Sequence, residues 1–264
     1  MNFGLIIIGD EILSGKRADK HLPKAIELLS ARGLALSWAR CVGDDPARIT
    51  ADLKHAFACG DVVFSCGGIG ATPDDHTRQC AAAALGVPLA LHPQARDLII
   101  ERMRDTAKEQ GIAFEPDRHD NVHRLNMGVF PEGAQIIPNP YNKIAGFSVG
   151  DVHFVPGFPV MAWPMIEWVL DQRYAELHGQ GAQREKSVIV FGAMEATLTP
   201  LMERIEAEFA GVKVFSLPSV DHPQWGRHIE LGVKGQADLL ERPYRVLLAG
   251  LAMHGATLGP ELVR

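Results

Sequence analysis

The densest group of residues able to do chemistry lies between positions 67 and 75, in the run Gly67-Gly68-Ile69-Gly70-Ala71-Thr72-Pro73-Asp74-Asp75. Glycines let a chain turn tightly and bring bare N–H groups against a ligand. A helix that starts just beyond them adds a dipole favouring anions. Gly67, Gly68, Gly70 and Thr72 therefore read as a cradle for a phosphate. Asp74 and Asp75 would repel that phosphate unless a cation stood between them, which points to a divalent metal such as Mg²⁺ shared by carboxylates and phosphates. For either aspartate alone, capping the following helix is an equal alternative. The run is not a G-x-G-x-x-G fingerprint and lacks the lysine of a P-loop.

Three further segments carry candidate groups. Gly9-Asp10-Glu11-Ile12-Leu13-Ser14-Gly15 offers Gly9, Asp10, Glu11 and Ser14 for a ligand contact, a metal or a helical cap. In Gly43-Asp44-Asp45-Pro46, Asp45 stands where an N-cap belongs, ahead of a proline suited to the first helical turn. Asp44 is then the freer carboxylate, and Asp44 with Asp75 would make a metal-binding pair from neighbouring strand ends. In Pro138-Asn139-Pro140 and Pro156-Gly157-Phe158-Pro159, Asn139 is placed to read the edge of a heterocycle and Gly157 to allow close backbone approach. Turn chemistry alone is the other reading of both. His21 and His76 fall near these segments, where an anion contact competes with a plain surface role. No H-E-x-x-H zinc spacing and no G-x-S-x-G elbow occurs.

These groups need elements to hold them. Phe3–Ile8 is a continuous apolar run, as expected of a strand buried on both faces in a parallel sheet. Helical spacing of Leu22, Ile26 and Leu29 predicts a helix over Asp19–Ala31, and strands are expected over Leu34–Val42 and Asp61–Cys66. A helix should open at Pro46, and another should run from about Asp75 to Leu85. Alternating strand and helix define a doubly wound sheet, in which ligands sit beyond the carboxyl ends of the strands. The loops after the first three strands then share one rim. Pro93–Gln110 predicts a surface helix. Residues 111–146 read as irregular, with a short helix near Asn121–Asn126 and a short strand at Ile136-Ile137. Phe147–Val149 and Asp151–Val155 should pair through a Gly150-Asp151 turn ahead of a helix through Leu170.

The glycine-bearing polar stretch at 175–186 reads as a linker between a domain at 1–174 and a smaller one at 187–254. In the latter, a strand at Ser187–Phe191, a helix at Thr197–Phe209, two successive strands at Val212–Leu217 and His228–Val233, and a helix at Ala237–Ala252 are expected. This predicts an α+β, ferredoxin-like sandwich.

Composition limits the partners. A net charge of −6 over 264 residues, without blocks of like charge, gives no long-range attraction for nucleic acid or anionic lipid. The apolar runs fall short of the ~18–20 residues of a membrane span. Cys41, Cys59, Cys66 and Cys80 match no metal or redox spacing. A chain that opens on a strand, with thiols expected to stay reduced, is expected to be cytoplasmic.

Taken in order, the Gly9–Gly15 segment, Val42-Gly43-Asp44-Asp45, the run from Gly67 through His76-Thr77 and Pro156-Gly157-Phe158-Pro159 resemble the molybdopterin-binding domain superfamily. Within it they resemble the competence/damage-inducible protein A branch. The resemblance spans roughly residues 3–170, and 187–250 more loosely resemble that branch's middle domain. It implies a three-layer α/β/α fold binding molybdopterin or a nucleotide at the rim, and a homo-oligomer, dimer or trimer. It implies catalytic roles for Asp44 and Asp75, with Asp44, Asp74 and Asp75 as ligands for Mg²⁺, Mn²⁺ or Co²⁺. Two reactions fit: metal-dependent cleavage of the diphosphate of an ADP-ribose-type nucleotide, or adenylylation of molybdopterin. A non-catalytic binding module is the third reading. The chain departs from the branch at Asp19-Lys20-His21, where Asp-Thr-Asn is frequent, and at Val160, where Glu is common. It has Ile69 where the adenylyltransferases favour a small hydroxyl residue. The C-terminal amidohydrolase domain of longer relatives has no counterpart here, so deamidation of pyridine nucleotides is not expected.

Overall fold

The computed structural model describes residues 1–179 and 183–263. The chain divides into two compact units, Met1–His178 and Gly179–Arg264. The first contains, in order, β1 (Phe3–Ile8), α1 (Asp10–Leu13), α2 (His21–Ser30), β2 (Leu36–Val42), α3 (Pro46–Ala58), β3 (Val62–Cys66), α4 (Thr77–Leu85), β4 (Leu89–Leu91) and α5 (Pro93–Glu109). It continues with α6 (His119–Arg124), β5 (Val129–Pro131), β6 (Gln135–Ile137), β7 (Gly146–Val149), β8 (Val152–Val155) and α7 (Pro159–Arg173).

The main sheet runs β2-β1-β3-β8-β7-β6. β2, β1, β3 and β8 are parallel, and β7 and β6 close one edge antiparallel. The continuous apolar run of β1 is explained by its two faces. Phe3, Leu5 and Ile7 enter one core with α2 and α7, whereas Ile6 and Ile8 enter the other with α3 and α4. At roughly 1.5–3 kcal/mol for each large apolar side chain buried, both cores hold the sheet between two helical layers. This is the expected three-layer α/β/α arrangement.

The strands end in register. Ile8 lies beside Val42, Ile7 beside Cys66, and Cys66 beside Val155. The chain leaves them at Gly9, Gly43, Gly67 and Pro156, so all four loops emerge on one rim. Backbone bonds continue one step past the strands, from Gly9 N–H to Val42 O and from Gly67 N–H to Val155 O, each 3.0 Å.

Several boundaries differ from the sequence reading. α2, expected from Asp19, starts at His21, because Asp19 stands outside it and accepts from His21 N–H at 2.8 Å and Leu22 N–H at 3.0 Å. α4 starts at Thr77, and no side chain caps it. Neither Asp74 nor Asp75 is therefore its cap. α1 and the antiparallel pair β4–β5 were not foreseen; elements of three or four residues carry too little periodicity to declare themselves.

The second unit holds β9 (Gln183–Phe191), α8 (Glu195–Glu208), β10 (Lys213–His222), β11 (Gly226–Gln236), α9 (Glu241–Met253) and β12 (Thr257–Val263). Its antiparallel sheet runs β10-β11-β9-β12, the split order of a ferredoxin-like unit. β9 begins inside the stretch read as a linker, where the polar residues Arg184–Lys186 pair with Val233–Gly235 of β11. The rest of that stretch includes a helical turn at Ala175–Leu177 and residues 180–182, which lie outside the described residues. β12 supplies the fourth strand, beyond the expected end at 254.

Candidate functional site

The glycine run leaves β3 with Gly67 at φ +108° and Gly68 at φ +68°. A Cβ on Gly68 would lie 2.1 Å from Thr77 Oγ1, so the space there is already taken. The loop's carbonyls are pulled back toward α4. Thr77 Oγ1 donates to Gly67 O at 3.1 Å, and Thr77 N–H to Gly68 O at 3.0 Å. Arg78 then donates from Nη1 to Ile69 O at 3.1 Å and from Nη2 to Gly70 O at 2.6 Å. Arg78 is only 5% exposed, and burial depresses its pKa against the opposing charge of Asp75. A buried guanidinium thus stands directly behind the loop.

Asp75 closes the far end of the run by accepting from Thr72 N–H at 2.8 Å and Thr72 Oγ1 at 2.6 Å, both at Oδ2. Across the rim, Asp10 and Asp44 hold each other: Asp10 N–H donates to Asp44 Oδ2 at 2.9 Å and Asp44 N–H to Asp10 Oδ1 at 3.1 Å. Burial pushes the Asp44 carboxyl above its usual range. The backbone hydrogen bond from Asp10 opposes this, and the charges of Asp10, Glu11 and Asp74 add to it. Asp45 caps α3 as expected, accepting from Ala47 N–H at 2.8 Å.

These loops surround a cavity of about 380 Å³. Of the expected residues, the structure brings Gly9, Glu11, Asp44, Gly67, Gly68, Gly70, Thr72, Asp74, Asp75 and Gly157 to its wall. Asp10, Ser14 and Asn139 are not in the lining. Asp10 is occupied with Asp44. Ser14 follows the last turn of α1 and faces solvent. Asn139 is buried, and its amide is consumed by Asn142 Oδ1, Ile144 O and Tyr141 N–H. The heterocycle-reading role is therefore not available to Asn139, which instead shapes the loop that brings Asn142 and Ile144 to the wall.

Sequence reasoning did not single out Arg78, Arg17, Asn142 or Phe158. Arg17 is the cation in the cavity lining, and Phe158 stands at the wall with 56% of its surface exposed. A phenylalanine set between the prolines of the turn at 156–159 was the legible sign of the second. No spacing rule signals that Arg78 folds back over carbonyls eight or nine residues earlier.

The donors here are oxygen atoms, which suit a hard divalent cation. Among the described residues, no set of three His, Cys, Asp or Glu side chains is gathered closely enough to hold a metal. The expected trio of Asp44, Asp74 and Asp75 is therefore not a preassembled cage. Asp74 is near enough to Asp44 to raise its pKa, so those carboxylates repel and a cation would relieve them. The residues fit a metal that takes one or two carboxylates and completes its shell with ligand phosphates and water.

A mostly parallel sheet between two helical layers, with a glycine-lined cavity at its carboxyl rim, places the first unit in the α/β/α class. A family model described as a probable molybdopterin binding domain matches residues 4–176, and the chain belongs to that family. Its relatives place it in the CinA-like branch. It is 34% identical over 182 residues to a CinA-like protein of Anaeromyxobacter sp. (strain K), covering 67% of this chain and 42% of that one. It is 28% identical over 272 residues to one of Geobacter sulfurreducens, covering 100% of this chain and 61% of that one. The chain thus spans about half the length of the curated relatives it matches. A solved structure of the protein CinA from Thermoplasma acidophilum, of unknown function, matches with a TM-score of 0.54 and 26% identity. It covers 65% of this chain and 98% of that one. Among the described residues no helix is long and apolar enough to cross a membrane.

Proposed function

We propose that the rim cavity binds the diphosphate of a pterin or nucleotide against the glycine loop, and that the chain hydrolyses such a diphosphate in an ADP-ribose-type nucleotide. The observation that carries this reading is the orientation of the loop. With the carbonyls of residues 67–70 drawn back by Thr77 and Arg78, and the N–H groups of Gly67 and Thr72 committed to Val155 O and Asp75, the amides of residues 68–71 are left for an anion, backed by a buried positive charge. Arg17 offers a second positive charge from the wall, and the exposed ring of Phe158 offers a stacking face to a heterocycle.

A divalent cation, when bound, would neutralise the diphosphate and polarise the phosphorus under attack. The residues to hold it are Asp44 and Asp74, with Asp75. Asp44 must be ionised for this, and its raised pKa places the loss of that charge at higher pH than for an ordinary aspartate. The clasp with Asp10 fixes Asp44 at the cavity wall. The Thr72–Asp75 bonds fix the far end of the cradle, so the diphosphate is oriented before any bond is broken.

A second reading, a module that holds its ligand without turnover, is favoured by the lack of a preassembled three-carboxylate cage among the described residues. Adenylylation of molybdopterin has less support, because Ile69 is buried in the core and puts no hydroxyl at that position. The deciding assay follows AMP release from ADP-ribose with Mg²⁺, Mn²⁺ or Co²⁺ present. Metal-dependent AMP supports hydrolysis. Tight ADP-ribose binding with no AMP above a protein-free control removes hydrolysis and leaves the module.

A further inference from the structure

The rim holds a second cavity of about 360 Å³ beside β1 and the start of α2. It shares Ile8, Glu11, Arg17, Gly157 and Phe158 with the first. The charge differs between them. Four carboxylates and one guanidinium line the first cavity: Glu11, Asp44, Asp74 and Asp75 against Arg17. The second sets Arg17 and Lys20 against Glu11 alone, over an apolar wall that includes Ile12 and Cys66. Among the described residues neither Arg17 nor Lys20 has an ion-pair partner. His21 also lines this cavity and is 5% exposed. Its Nε2–H donates to Gly157 O at 3.0 Å, since a carbonyl can only accept, and its Nδ1 is buried without a hydrogen-bond partner.

We propose that the second cavity takes a further phosphoryl group of the same ligand whose diphosphate lies on the glycine loop, with Arg17 and Lys20 as its counter-charges. This rests on the diphosphate reading above. Arg17 and Lys20 outnumber Glu11 in this lining, which suits an anionic group such as a phosphate monoester. Arg17 borders both cavities, so its planar fork can reach oxygens on either side of the boundary. Apolar walls strengthen such contacts relative to open solvent. His21 holds the Gly157-Phe158 turn that borders both spaces.

Crystals of the full chain soaked in sodium tungstate, a phosphate mimic with strong anomalous scattering, test this by position. We expect one peak on the glycine loop and one between Arg17 and Lys20. In Lys20→Gln the second should vanish while the first stays. In solution, calorimetry with inorganic phosphate should show the Arg17–Lys20 site at least about tenfold weaker in Lys20→Gln, with magnesium pyrophosphate changed less than about twofold. A glycine-loop peak without a partner at Arg17–Lys20 overturns the subsite and leaves the diphosphate reading standing. A peak only between Arg17 and Lys20 overturns both, because the added phosphoryl group then has no diphosphate to belong to. Equal losses for both probes in Lys20→Gln reduce Lys20 to general surface charge and also overturn the subsite.

Discussion

Asp10 and Asp44, thirty-four positions apart, accept each other's backbone N–H, at 2.9 and 3.1 Å. The exchange ties the loop after β1 to the loop after β2 and turns the Asp44 carboxylate to the cavity wall. Asn at position 10 keeps an acceptor oxygen for Asp44 N–H, whereas Ala does not. Asp10→Ala should therefore cost about 1 kcal/mol in urea unfolding and weaken magnesium-dependent ADP-ribose binding. Asp10→Asn should cost less than about half of that. Equal losses in both variants would show that the clasp contributes nothing as a hydrogen bond.

Asp44 also gives a pH prediction with a defined sign. Its folded pKa is raised, by burial first and by the charges of Asp10, Glu11 and Asp74. For a carboxylate raised on folding, the favourable contribution is present at low pH and is lost as pH rises through the folded pKa. At neutral pH, Asp44→Asn should then stabilise the metal-free protein. Added Mg²⁺ should raise Tm in the parent by mass action and raise it less in the variant. Thermal scans with and without Mg²⁺ measure both effects, and an equal metal response in the two proteins removes Asp44 from the metal site.

Arg78 is held by two carbonyls of the glycine run. Arg78→Lys keeps the charge but loses the fork that reaches both oxygens. It should cost roughly 1–3 kcal/mol in urea unfolding, the range of a hydrogen bond to a charged group. Pyrophosphate affinity should fall about tenfold as the loop carbonyls relax toward the ligand. Arg78→Met should be worse on both counts. If pyrophosphate affinity survives Arg78→Met, the guanidinium does not set the face of the loop.

The sequence made the first core legible because β1 is apolar at every position, and only a strand covered on both faces can be. It made the rim legible because Gly9, Gly43 and Gly67 each follow a predicted strand. The use of side chains within the rim was not legible. Asp10, Asp44 and Asp75 look equivalent in the sequence. In the structure Asp10 is spent on a backbone N–H, Asp75 on Thr72, and Asp44 is the carboxylate raised by burial and by its neighbours' charges. Asn139 looked like a reader of ligand and is a brace for its own loop. These outcomes depend on contacts across 34 residues or on local loop geometry, neither of which leaves a periodic trace. β12 was missed for a related reason: as an edge strand it buries no continuous apolar face.

At the far end of the same sheet, His153 is fully buried. Its Nε2 meets Tyr174 OH at 2.7 Å and its Nδ1 meets Ser148 Oγ at 2.8 Å, while Tyr174 OH donates to Asp151 at 2.7 Å. With the tyrosine proton committed to Asp151, Nε2–H donates to the tyrosine and Nδ1 accepts from Ser148, so the ring is neutral. Burial, with the charge of Arg173, lowers its pKa to about 3. The unfolded chain takes up this proton near pH ~6.5, so stability should fall as pH drops below that value, by up to ~1.4 kcal/mol per unit toward the folded pKa. Urea unfolding against pH checks the slope. Imidazole ¹⁵N shifts of the native protein check the cause, and titration of His153 above pH ~5 would refute it.

Gly68 and Gly86 separate backbone strain from the geometry of the site. Both have positive φ, +68° and +71°. A Cβ at Gly86 meets nothing within 4 Å, whereas one at Gly68 lies 2.1 Å from Thr77 Oγ1. Gly86→Ala should cost about 1–2 kcal/mol in unfolding, the left-handed penalty alone, and leave pyrophosphate binding unchanged. Gly68→Ala carries the same penalty and must also displace Thr77 from Gly67 O and Gly68 O. That would free two of the four carbonyls now drawn away from the cavity. Pyrophosphate affinity should drop at least about tenfold, beyond what the stability loss explains. If Gly68→Ala binds pyrophosphate as tightly as Gly86→Ala does, the cradle does not depend on the Thr77 anchor, and the phosphate must be held by Arg17 and the metal instead.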